Sequence, residues 1–305
     1  MTMIVMHRPP LRILPVLVAA AVLVSGCGAT GGSSGSRLSV VTSFYPLQYV
    51  AQRIAGGHAE VSNLTHAGQE PHDLTLTVRQ TAQVADADVV VYLKGFQPAV
   101  DDSIDQAGDK DAVDVGSAVH LHSAAQGGDE DGGLDPHFWL DPTRLSAAAG
   151  VFEGQLARTD PDHAAAYRRN LGSLRGDLAR LDSSFREGLA SCRITTLVAS
   201  HDAFGYLGRR YGIKVVGING LSPDAEPSPA HIRALQTLIR HDHITTVFSE
   251  ELASRKFADS LAGDLGIRTA VLDPIEGLTD ATADQDYLSL MRTNLATLRK
   301  ADDCS

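Results

Sequence analysis

The chain has 305 residues, of which 43% are hydrophobic and 21% charged, and its formal net charge is −11. This negative charge argues against a nucleic-acid partner, which would require a basic face, and it is compatible with long-range attraction of cations. Beyond the first segment of the chain, a body of about 270 residues exceeds the size at which single hydrophobic cores stop growing, so we expect two lobes.

The first 27 residues have the pattern of an export signal. Arg8 and Arg12 precede the apolar run 13–24, and Cys27 follows the small residue Gly26. About a dozen apolar residues are too few to cross a hydrocarbon core of ~30 Å, so we interpret the run as a signal peptide. The end of this run resembles a bacterial lipobox, which predicts that a lipid on Cys27 anchors the protein to the outer face of the cell membrane. The alternative is an ordinary signal peptide cleaved nearby.

The rest of the chain divides into four predicted segments after the signal peptide 1–27. Residues 28–37 are mostly Gly and Ser and are predicted to form a flexible tether. An N-terminal α/β lobe is expected over residues 38–160, a linker helix over 161–189, and a C-terminal α/β lobe over 190–305.

Short β-branched runs alternate with segments of helical periodicity along this body. In the first half the predicted strands are 38–42, 60–64, 87–93 and 112–115, with helices at 46–54 and 75–85. In the second half the predicted strands are 194–199, 214–218, 245–248 and 269–272, with a helix at 229–241. This order is typical of parallel sheets covered by helices. We therefore predict an α/β fold with two similar lobes.

No strand is predicted between the two halves. Residues 146–156 and 161–189 have helical patterns, and the second segment would span about 40 Å at 1.5 Å per residue. Its apolar residues recur at mixed three- and four-residue spacing, from Tyr167 to Leu181. A helix of this length would form a stiff connection, so we do not expect a large hinge closure between the lobes.

Only Cys192 and Cys304 remain once Cys27 is assigned to the lipid. An export signal places these two cysteines in an oxidising compartment, where such a pair is commonly joined. We therefore predict a disulfide between Cys192 and Cys304 that fixes the C-terminus.

Four residues with metal-binding side chains stand at the ends of predicted strands or in the loops that follow them: His72, His137, His201 and Asp273. Ligands of open α/β sheets usually bind at this edge. Three imidazoles and one carboxylate suit zinc, whereas calcium and magnesium prefer oxygen ligands. The four residues match no short zinc motif, and a single histidine beside a strand is more often an ordinary hydrogen-bonded residue. From these residues alone, both interpretations stay open.

Five motifs in chain order resemble those of one protein family. They are Glu70-Pro71-His72-Asp73, Asp135-Pro136-His137-Phe138-Trp139-Leu140-Asp141-Pro142, Ser200-His201-Asp202-Ala203-Phe204-Gly205-Tyr206, Glu226-Pro227-Ser228 and Leu272-Asp273-Pro274. Together they resemble the metal-specific, cluster-nine family of solute-binding lipoproteins that serve ABC transporters for zinc and manganese. The resemblance covers roughly residues 38–304.

This resemblance implies two four-stranded α/β lobes joined by one long rigid helix, with the metal held between them. It implies His72 and His137 as ligands from the first lobe, and His201 and Asp273 from the second. In this family a histidine at the third position is associated with zinc and a glutamate with manganese, so His201 favours zinc. The implied protein is a monomeric receptor, not an enzyme, that delivers zinc to the permease of an ABC importer.

A short loop before the second histidine motif contains His120, His122 and the acidic residues 129–131. Zinc-type members of the family tend to have a longer histidine-rich loop here. This loop would be either an accessory, low-affinity zinc collector or a plain solvated loop. Three glutamates, Glu70, Glu250 and Glu251, are candidate additional donors, although the last two could instead begin a helix predicted at 251–262.

Three other functions are weighed against the zinc receptor. A manganese or iron receptor of the same family is the first alternative. A secreted zinc hydrolase would need three protein ligands, a bound water and a general base such as Glu250 or Glu70, and the sequence has no HExxH motif. A receptor for an organic ligand would line its cleft with aromatic residues, such as Phe138, Trp139 and Phe204.

Overall fold

The computed structural model describes residues 37–108, 111–123 and 133–305. The predicted signal peptide, the lipidation site Cys27 and the tether up to residue 36 lie outside the described residues. The acidic residues 129–131 of the loop also lie outside them. Among the described residues, no helix combines the length and the apolar content needed to cross a membrane.

The first lobe contains a four-stranded parallel sheet. Its strands are β1 (Leu38–Thr42), β2 (Ala59–Asn63), β3 (Val89–Tyr92) and β4 (Ala112–Asp114), in the order β2-β1-β3-β4. Its helices are α1 (Tyr45–Ala55), α2 (Val78–Asp86), α3 (Pro98–Ala107) and α4 (Gly116–Val119). The prediction placed the start of α2 at residue 75, whereas a capping box between Thr77 and Gln80 starts the helix at Val78.

Alternating side chains of the first sheet enter two different cores. Val40, Val89 and Val91 face the large core that extends under α1. Val41 and Val90, one residue away along their strands, face a smaller core with Val84 of α2 and Ile104 of α3. A strand places successive side chains on opposite faces, so the continuous apolar runs in the sequence correspond to a sheet covered on both sides.

The second lobe repeats this arrangement. Its strands are β5 (Thr196–Ala199), β6 (Lys214–Gly217), β7 (Thr246–Ser249) and β8 (Arg268–Val271), in the order β6-β5-β7-β8 and all parallel. Its helices are α7 (Gly205–Tyr211), α8 (Pro229–His241), α9 (Lys256–Leu265) and α10 (Tyr287–Ala301). The predicted α/β class with two similar four-stranded lobes is confirmed. The helix expected from residue 251 begins only at Lys256, so Glu250 and Glu251 do not form its first turn.

Two long helices join the sheets. They are α5 (Pro142–Thr159) and α6 (Ala164–Gly188), with a 3-10 turn at Pro161–His163 between them and another at Phe138–Leu140 before α5. Helix α6 is 25 residues long, about 37 Å at 1.5 Å per residue. Its buried stripe includes Tyr167, Leu171, Leu174 and Leu178, and it packs against α5, α1 and α10. Elements of both lobes therefore bury their apolar surface on one helix.

A disulfide closes the C-terminal end of the fold. The sulfur atoms of Cys192 and Cys304 are 2.01 Å apart, across a sequence separation of 112 residues. The predicted pairing is confirmed. The same two residues also form an isolated antiparallel bridge, so the chain end is fixed by the backbone as well as by sulfur.

Candidate metal centre

Three histidines and one glutamate converge at the carboxyl ends of the two sheets. The group consists of His72, His137, His201 and Glu276, and one ligand atom from each lies within 4.8 Å of all the others. Nε2 of His137 is 3.3 Å from Nε2 of His72 and 3.3 Å from Nε2 of His201. All three predicted histidines are therefore brought together, from segments that are far apart in the sequence.

His72 lies in the loop between β2 and α2, and its side chain is the most exposed of the four at 12%. Its backbone N–H donates to Oε1 of Glu70 at 2.9 Å, and its ring packs edge-on against Phe96 with the centroids 4.8 Å apart. Burial lowers the pKa of His72, and the neighbouring Glu276 opposes this shift. The turn and the aromatic contact fix the ring so that Nε2 faces the centre of the group.

His137 directly precedes the 3-10 turn Phe138–Leu140 and is fully buried. Its Nδ1 lies 2.8 Å from Oδ1 of Asp135, and the same oxygen accepts the backbone N–H of His137 at 2.9 Å. Burial alone would lower the pKa of His137, but Asp135 and Glu276 outweigh burial and raise it to about 9. With Nδ1–H directed to Asp135, Nε2 is the atom available to an ion.

His201 follows β5, whose four residues are all buried. Its Nδ1 lies 2.7 Å from Oε2 of Glu250, and its backbone N–H donates to Oε1 of the same residue at 3.1 Å. Burial opposes protonation of this ring, but the charge of Glu250 and its hydrogen bond, followed by Glu276, raise the pKa of His201 well above its usual value. Glu250 therefore acts as the orienting partner of His201 and is not a member of the group of four.

Glu276 lies in the segment that follows β8 and is 1% exposed. Its Oε1 is 2.9 Å from Nε2 of His137, 3.3 Å from Nε2 of His72 and 3.5 Å from Nε2 of His201. Burial would raise the pKa of Glu276, but the three imidazoles hold it well below the usual range. Its other oxygen, Oε2, is buried and has no hydrogen-bond partner among the described residues. A buried carboxylate oxygen without a partner is costly unless a cation compensates it.

The structure differs from the sequence-based expectation at the fourth position, because Asp273 is not part of the group. Oδ1 of Asp273 accepts the backbone N–H of Ile275 at 2.8 Å, which turns the chain directly after β8. Ile275 has a positive φ of 59°, and Glu276 follows it into the centre. Burial raises the pKa of Asp273 to about 7. The two carboxylates are three residues apart, and only a local backbone reversal that the sequence pattern does not reveal selects the second.

The other candidate donors, which are the two loop histidines and two of the glutamates, do not belong to the group of four. Nε2 of His122 lies 2.7 Å from a guanidinium nitrogen of Arg144, and the His122 ring stacks on Tyr206 at 5.5 Å. His120 is exposed and has a positive φ of 50°. Glu251 is exposed, and Glu70 contacts the backbone of His72 through Oε1. Burial, followed by the charge of Glu276, raises the pKa of Glu70 to about 8.

The donor set determines which ions the centre could hold. Three imidazole nitrogens and one carboxylate oxygen suit a borderline ion such as Zn²⁺ in a four-coordinate geometry. Each ring must be neutral to bind metal, so an ion entering the centre would displace protons from the histidines. With four protein donors, the centre offers no open position for the water that a hydrolase would activate.

Comparison with a family model gives a match over residues 40–301. The matching family is described as "ZnuA: Zinc-uptake complex component A periplasmic". The match covers both sheets except the first two residues of β1, and it includes all four residues of the group.

Individual relatives are also similar. The chain is 34% identical over 281 residues to the zinc-binding lipoprotein AdcA of Streptococcus pneumoniae, an alignment that covers 88% of this chain and 56% of AdcA. The chain therefore spans little more than half the length of that relative. It is 32% identical over 304 residues to the high-affinity zinc uptake system protein ZnuA of Bacillus subtilis, covering 93% of this chain and 95% of that protein.

A solved structure agrees with this similarity. The crystal structure of the Zn(II)-bound ZnuA-like domain of Streptococcus pneumoniae AdcA superposes with a TM-score of 0.73 at 32% identity. The superposition covers 88% of this chain and 99% of that domain. The two-lobe architecture is therefore shared over almost the whole of the AdcA domain.

Proposed function

Because the chain belongs to the ZnuA family of zinc-uptake components, we propose that it is an extracytoplasmic receptor that binds zinc and delivers it to an ABC importer. The AdcA and ZnuA relatives are named for zinc binding and zinc uptake. In this proposal zinc is the cargo of the protein, and no chemical reaction takes place at the centre.

The proposed ligands are His72, His137, His201 and Glu276. The observation that supports this assignment is the convergence of three Nε2 atoms and one carboxylate oxygen within 4.8 Å of one another. Two further observations agree with it. Nδ1 of both buried histidines is occupied by a carboxylate, which leaves Nε2 free for a metal, and Oε2 of Glu276 has no partner among the described residues.

Zinc is favoured over manganese and iron by the donor types. An imidazole from His201 occupies the third position, where an oxygen donor would suit the harder Mn²⁺ better. The one oxygen donor, Glu276, is outnumbered three to one by nitrogen. We therefore propose zinc as the physiological ligand and manganese or iron as the weaker alternative.

The hydrolase alternative is disfavoured by the surroundings of the centre. Glu250, one of the two candidate general bases, is hydrogen-bonded to His201 through both of its oxygens. Glu70, the other, accepts the backbone N–H of His72. Glu250 is therefore not free to act as a base, and the four protein donors leave no coordination position at which a water would be activated.

The same proposal includes the ends of the chain and the partners. We propose residues 1–27 as a signal peptide, Cys27 as the lipid anchor on the outer face of the membrane and 28–37 as the tether. Residues 38–160 and 190–305 are the two proposed lobes, with 161–189 as the linker helix. The proposed partner is the permease of an ABC importer, with the receptor acting as a monomer and without nucleic acid.

Metal-titrated thermal unfolding of a chain lacking residues 1–27 tests this proposal, combined with elemental analysis. A ligand that binds only the native state stabilises it by about 2.7 kcal/mol at 100 times its dissociation constant. Zinc at about one ion per chain is expected to raise the unfolding temperature more than Mn²⁺ does. If no metal changed the unfolding temperature, the organic-ligand receptor would become the better assignment.

A further inference from the structure

The outer edge of the second sheet borders a cavity that is separate from the metal centre. Strand β8 ends the sheet and pairs on one side only, with β7. Helix α10 lies beyond the other side, and a cavity of about 390 Å³ remains between strand and helix. This volume lies within the range of small-ligand sites.

The backbone of β8 presents hydrogen-bonding groups to this cavity. Arg268 and Leu272 donate their N–H groups to Thr245 and Ser249, on the β7 side. Since alternate residues of a parallel strand bond to the same neighbour, the N–H and C=O groups of Thr269 and Val271 point the other way, toward α10. No described residue forms a hydrogen bond with these four groups.

Asp273 is the next residue whose backbone groups point toward α10, and its contacts show what kind of group binds at this edge of the sheet. Asn294 of α10 accepts the backbone N–H of Asp273 at 3.0 Å and donates to the C=O of Asp273 at 2.6 Å. One amide group therefore exchanges two hydrogen bonds with one residue, which is the pattern of an antiparallel strand pair. The backbone N–H and C=O groups of Val271 and Thr269 point the same way, but no described residue of α10 forms hydrogen bonds with them.

The two ends of the cavity carry opposite charges. Arg268 and Lys300 line one end, where Arg268 contacts Thr245 and Thr245 contacts the last carbonyl of α10. Glu251 and Asp273 line the other end, which follows the carboxyl ends of β7 and β8. The distance between the ends corresponds to about five residues of extended chain, or ~16 Å.

From these observations we propose that the groove between β8 and α10 binds an extended peptide segment of a partner protein, antiparallel to β8. The segment pairs its backbone with Thr269 and Val271. A basic residue at its amino end lies at Glu251 and Asp273, and an acidic residue at its carboxyl end lies at Arg268 and Lys300. Peptides that add a strand to an exposed edge gain affinity from main-chain hydrogen bonds and specificity from the flanking side chains.

A peptide matches the groove better than other ligand classes do. Donors and acceptors that repeat every second residue along β8 match another peptide backbone, whereas a free anion would use only the Arg268 end. Arg268, Lys300 and Glu251 are exposed, so a longer chain can leave the groove at both ends. This favours an internal segment of a protein over a free short peptide.

Binding of two peptides of identical composition tests the proposal on the zinc-loaded protein. Acetyl-Lys-Val-Thr-Val-Glu-amide has the proposed charge order, and acetyl-Glu-Val-Thr-Val-Lys-amide has the reverse. Two favourable charge contacts instead of two unfavourable ones should make the first peptide bind about tenfold more tightly. Methylation of its central backbone nitrogens should abolish binding, and NMR shifts should centre on the amides of Thr269 and Val271.

Protein variants give the matched control. Replacing one charge at each end, with Arg268→Glu and Glu251→Lys, should abolish the preference between the two peptides, because Lys300 and Asp273 then balance the new charges. The same exchange on α2, with Arg79→Glu and Asp86→Lys, should leave the preference unchanged, because both residues are exposed and remote from β8.

Three results would overturn the proposal: equal binding of both peptides, binding that survives backbone methylation, or no saturation up to about 5 mM, far weaker than a specific site. Self-association of the protein through β8, seen as a concentration-dependent dimer that excludes the peptide, would assign the groove to a second copy instead. Zinc affinity measured on the same samples reports on the metal centre separately, so failure of one proposal does not imply failure of the other.

Discussion

Nε1 of Trp139 donates a hydrogen bond to the carbonyl oxygen of Pro274 at 2.7 Å. Trp139 is two residues beyond His137, and Pro274 is two residues before Glu276. This bond therefore connects the segment that carries a histidine of the first lobe to the segment that carries the glutamate of the second. Trp139 is fully buried, so water cannot substitute for the missing donor if the indole is removed.

Replacing Trp139 with Phe should weaken both the fold and the centre. An unsatisfied buried carbonyl costs about 1–3 kcal/mol, to which the cavity left by the smaller ring adds. We expect a lower urea midpoint and weaker zinc binding, because the segment before Glu276 loses its contact. Tyr287→Phe is the control, since the Tyr287 hydroxyl donates to the carbonyl of Trp139 at 2.5 Å from the side of α10. It should lower stability and leave zinc affinity within about threefold, or ~0.6 kcal/mol.

The choice between Glu276 and Asp273 as the fourth ligand is tested by two amide variants. Glu276→Gln should lower zinc affinity by about 100-fold or more, because it removes the one anionic donor from a site of neutral imidazoles. Asp273→Asn should change affinity far less, since Asn can still accept the N–H of Ile275 through its side-chain oxygen. Competition with a chelator of known affinity measures both. A larger loss in Asp273→Asn than in Glu276→Gln would reverse the assignment made from the geometry.

The carboxylates behind the histidines should influence the metal without touching it. Asp135→Asn and Glu250→Gln replace the acceptors of Nδ1–H on His137 and His201. Loss of such outer partners typically weakens metal binding by about 10–100-fold. Calorimetric titration with zinc should show this decrease with the stoichiometry still one ion per chain. Unchanged affinity in both variants would mean that packing alone orients the rings.

Removing the disulfide should cost stability and leave metal binding intact. In the chain-entropy description, a closed loop of about a hundred residues contributes on the order of 4 kcal/mol by restricting the unfolded chain. The double variant Cys192→Ser, Cys304→Ser should therefore unfold at lower urea concentration than the parent chain and bind zinc with the same stoichiometry. Reductant should destabilise the parent and have no effect on the variant, which serves as the control.

Asp302 should make stability depend on pH. Its side chain is 3% exposed, and burial raises the pKa of Asp302 to about 7. A carboxyl whose pKa is higher in the folded than in the unfolded state binds its proton more tightly when folded, so its stabilising contribution is full below pH ~4 and is lost as the pH rises to 7. Asp302→Asn should therefore gain about 1–3 kcal/mol relative to the parent between pH 5 and pH 8, measured by urea unfolding with chelator present.

The neighbouring Asp303 gives a matched control for this titration. Its ion pair with Arg193 is solvent-exposed on both sides, with exposed side-chain fractions of 71% and 58%. An exposed pair of this kind contributes little to stability, so Asp303→Asn should shift the urea midpoint by a small amount that is the same at both pH values. An equal pH response in the two variants would show that burial of Asp302 is not the cause.

Hydrophobic periodicity was sufficient to predict most of the fold. Runs such as 87–93 are apolar on both faces of a strand, and Val89, Val90 and Val91 do enter two different cores. The long stripe from Tyr167 to Leu181 likewise identified the helix that connects the lobes. Boundaries were less predictable. The Thr77–Gln80 capping box delays the start of α2, whereas α9 begins at Lys256 without a side-chain cap that could mark its start.

The centre was only partly predictable for a different reason. His72, His137 and His201 each stand in a segment whose direction is set by a strand end or a proline, so their motifs locate them. The fourth donor depends on the turn from Asp273 to Ile275, where a positive φ of 59° at Ile275 brings the next residue inward. A second carboxylate three residues after Asp273 was the one available signal for Glu276. The position directly after the predicted strand favoured Asp273 over Glu276.

The disulfide also changes the covalent topology of the second lobe. Residues 192–304 include every strand of the second sheet and helices α7 to α10, so this lobe is a closed ring of bonds with two of the proposed ligands, His201 and Glu276, inside it. A protease that cuts this ring once opens a loop but releases no fragment. A single cut elsewhere in the described chain, between the two lobes, separates His72 and His137 from the ring. The disulfide therefore prevents loss of a fragment from the half of the centre that carries His201 and Glu276. It gives no such protection to the half that carries His72 and His137.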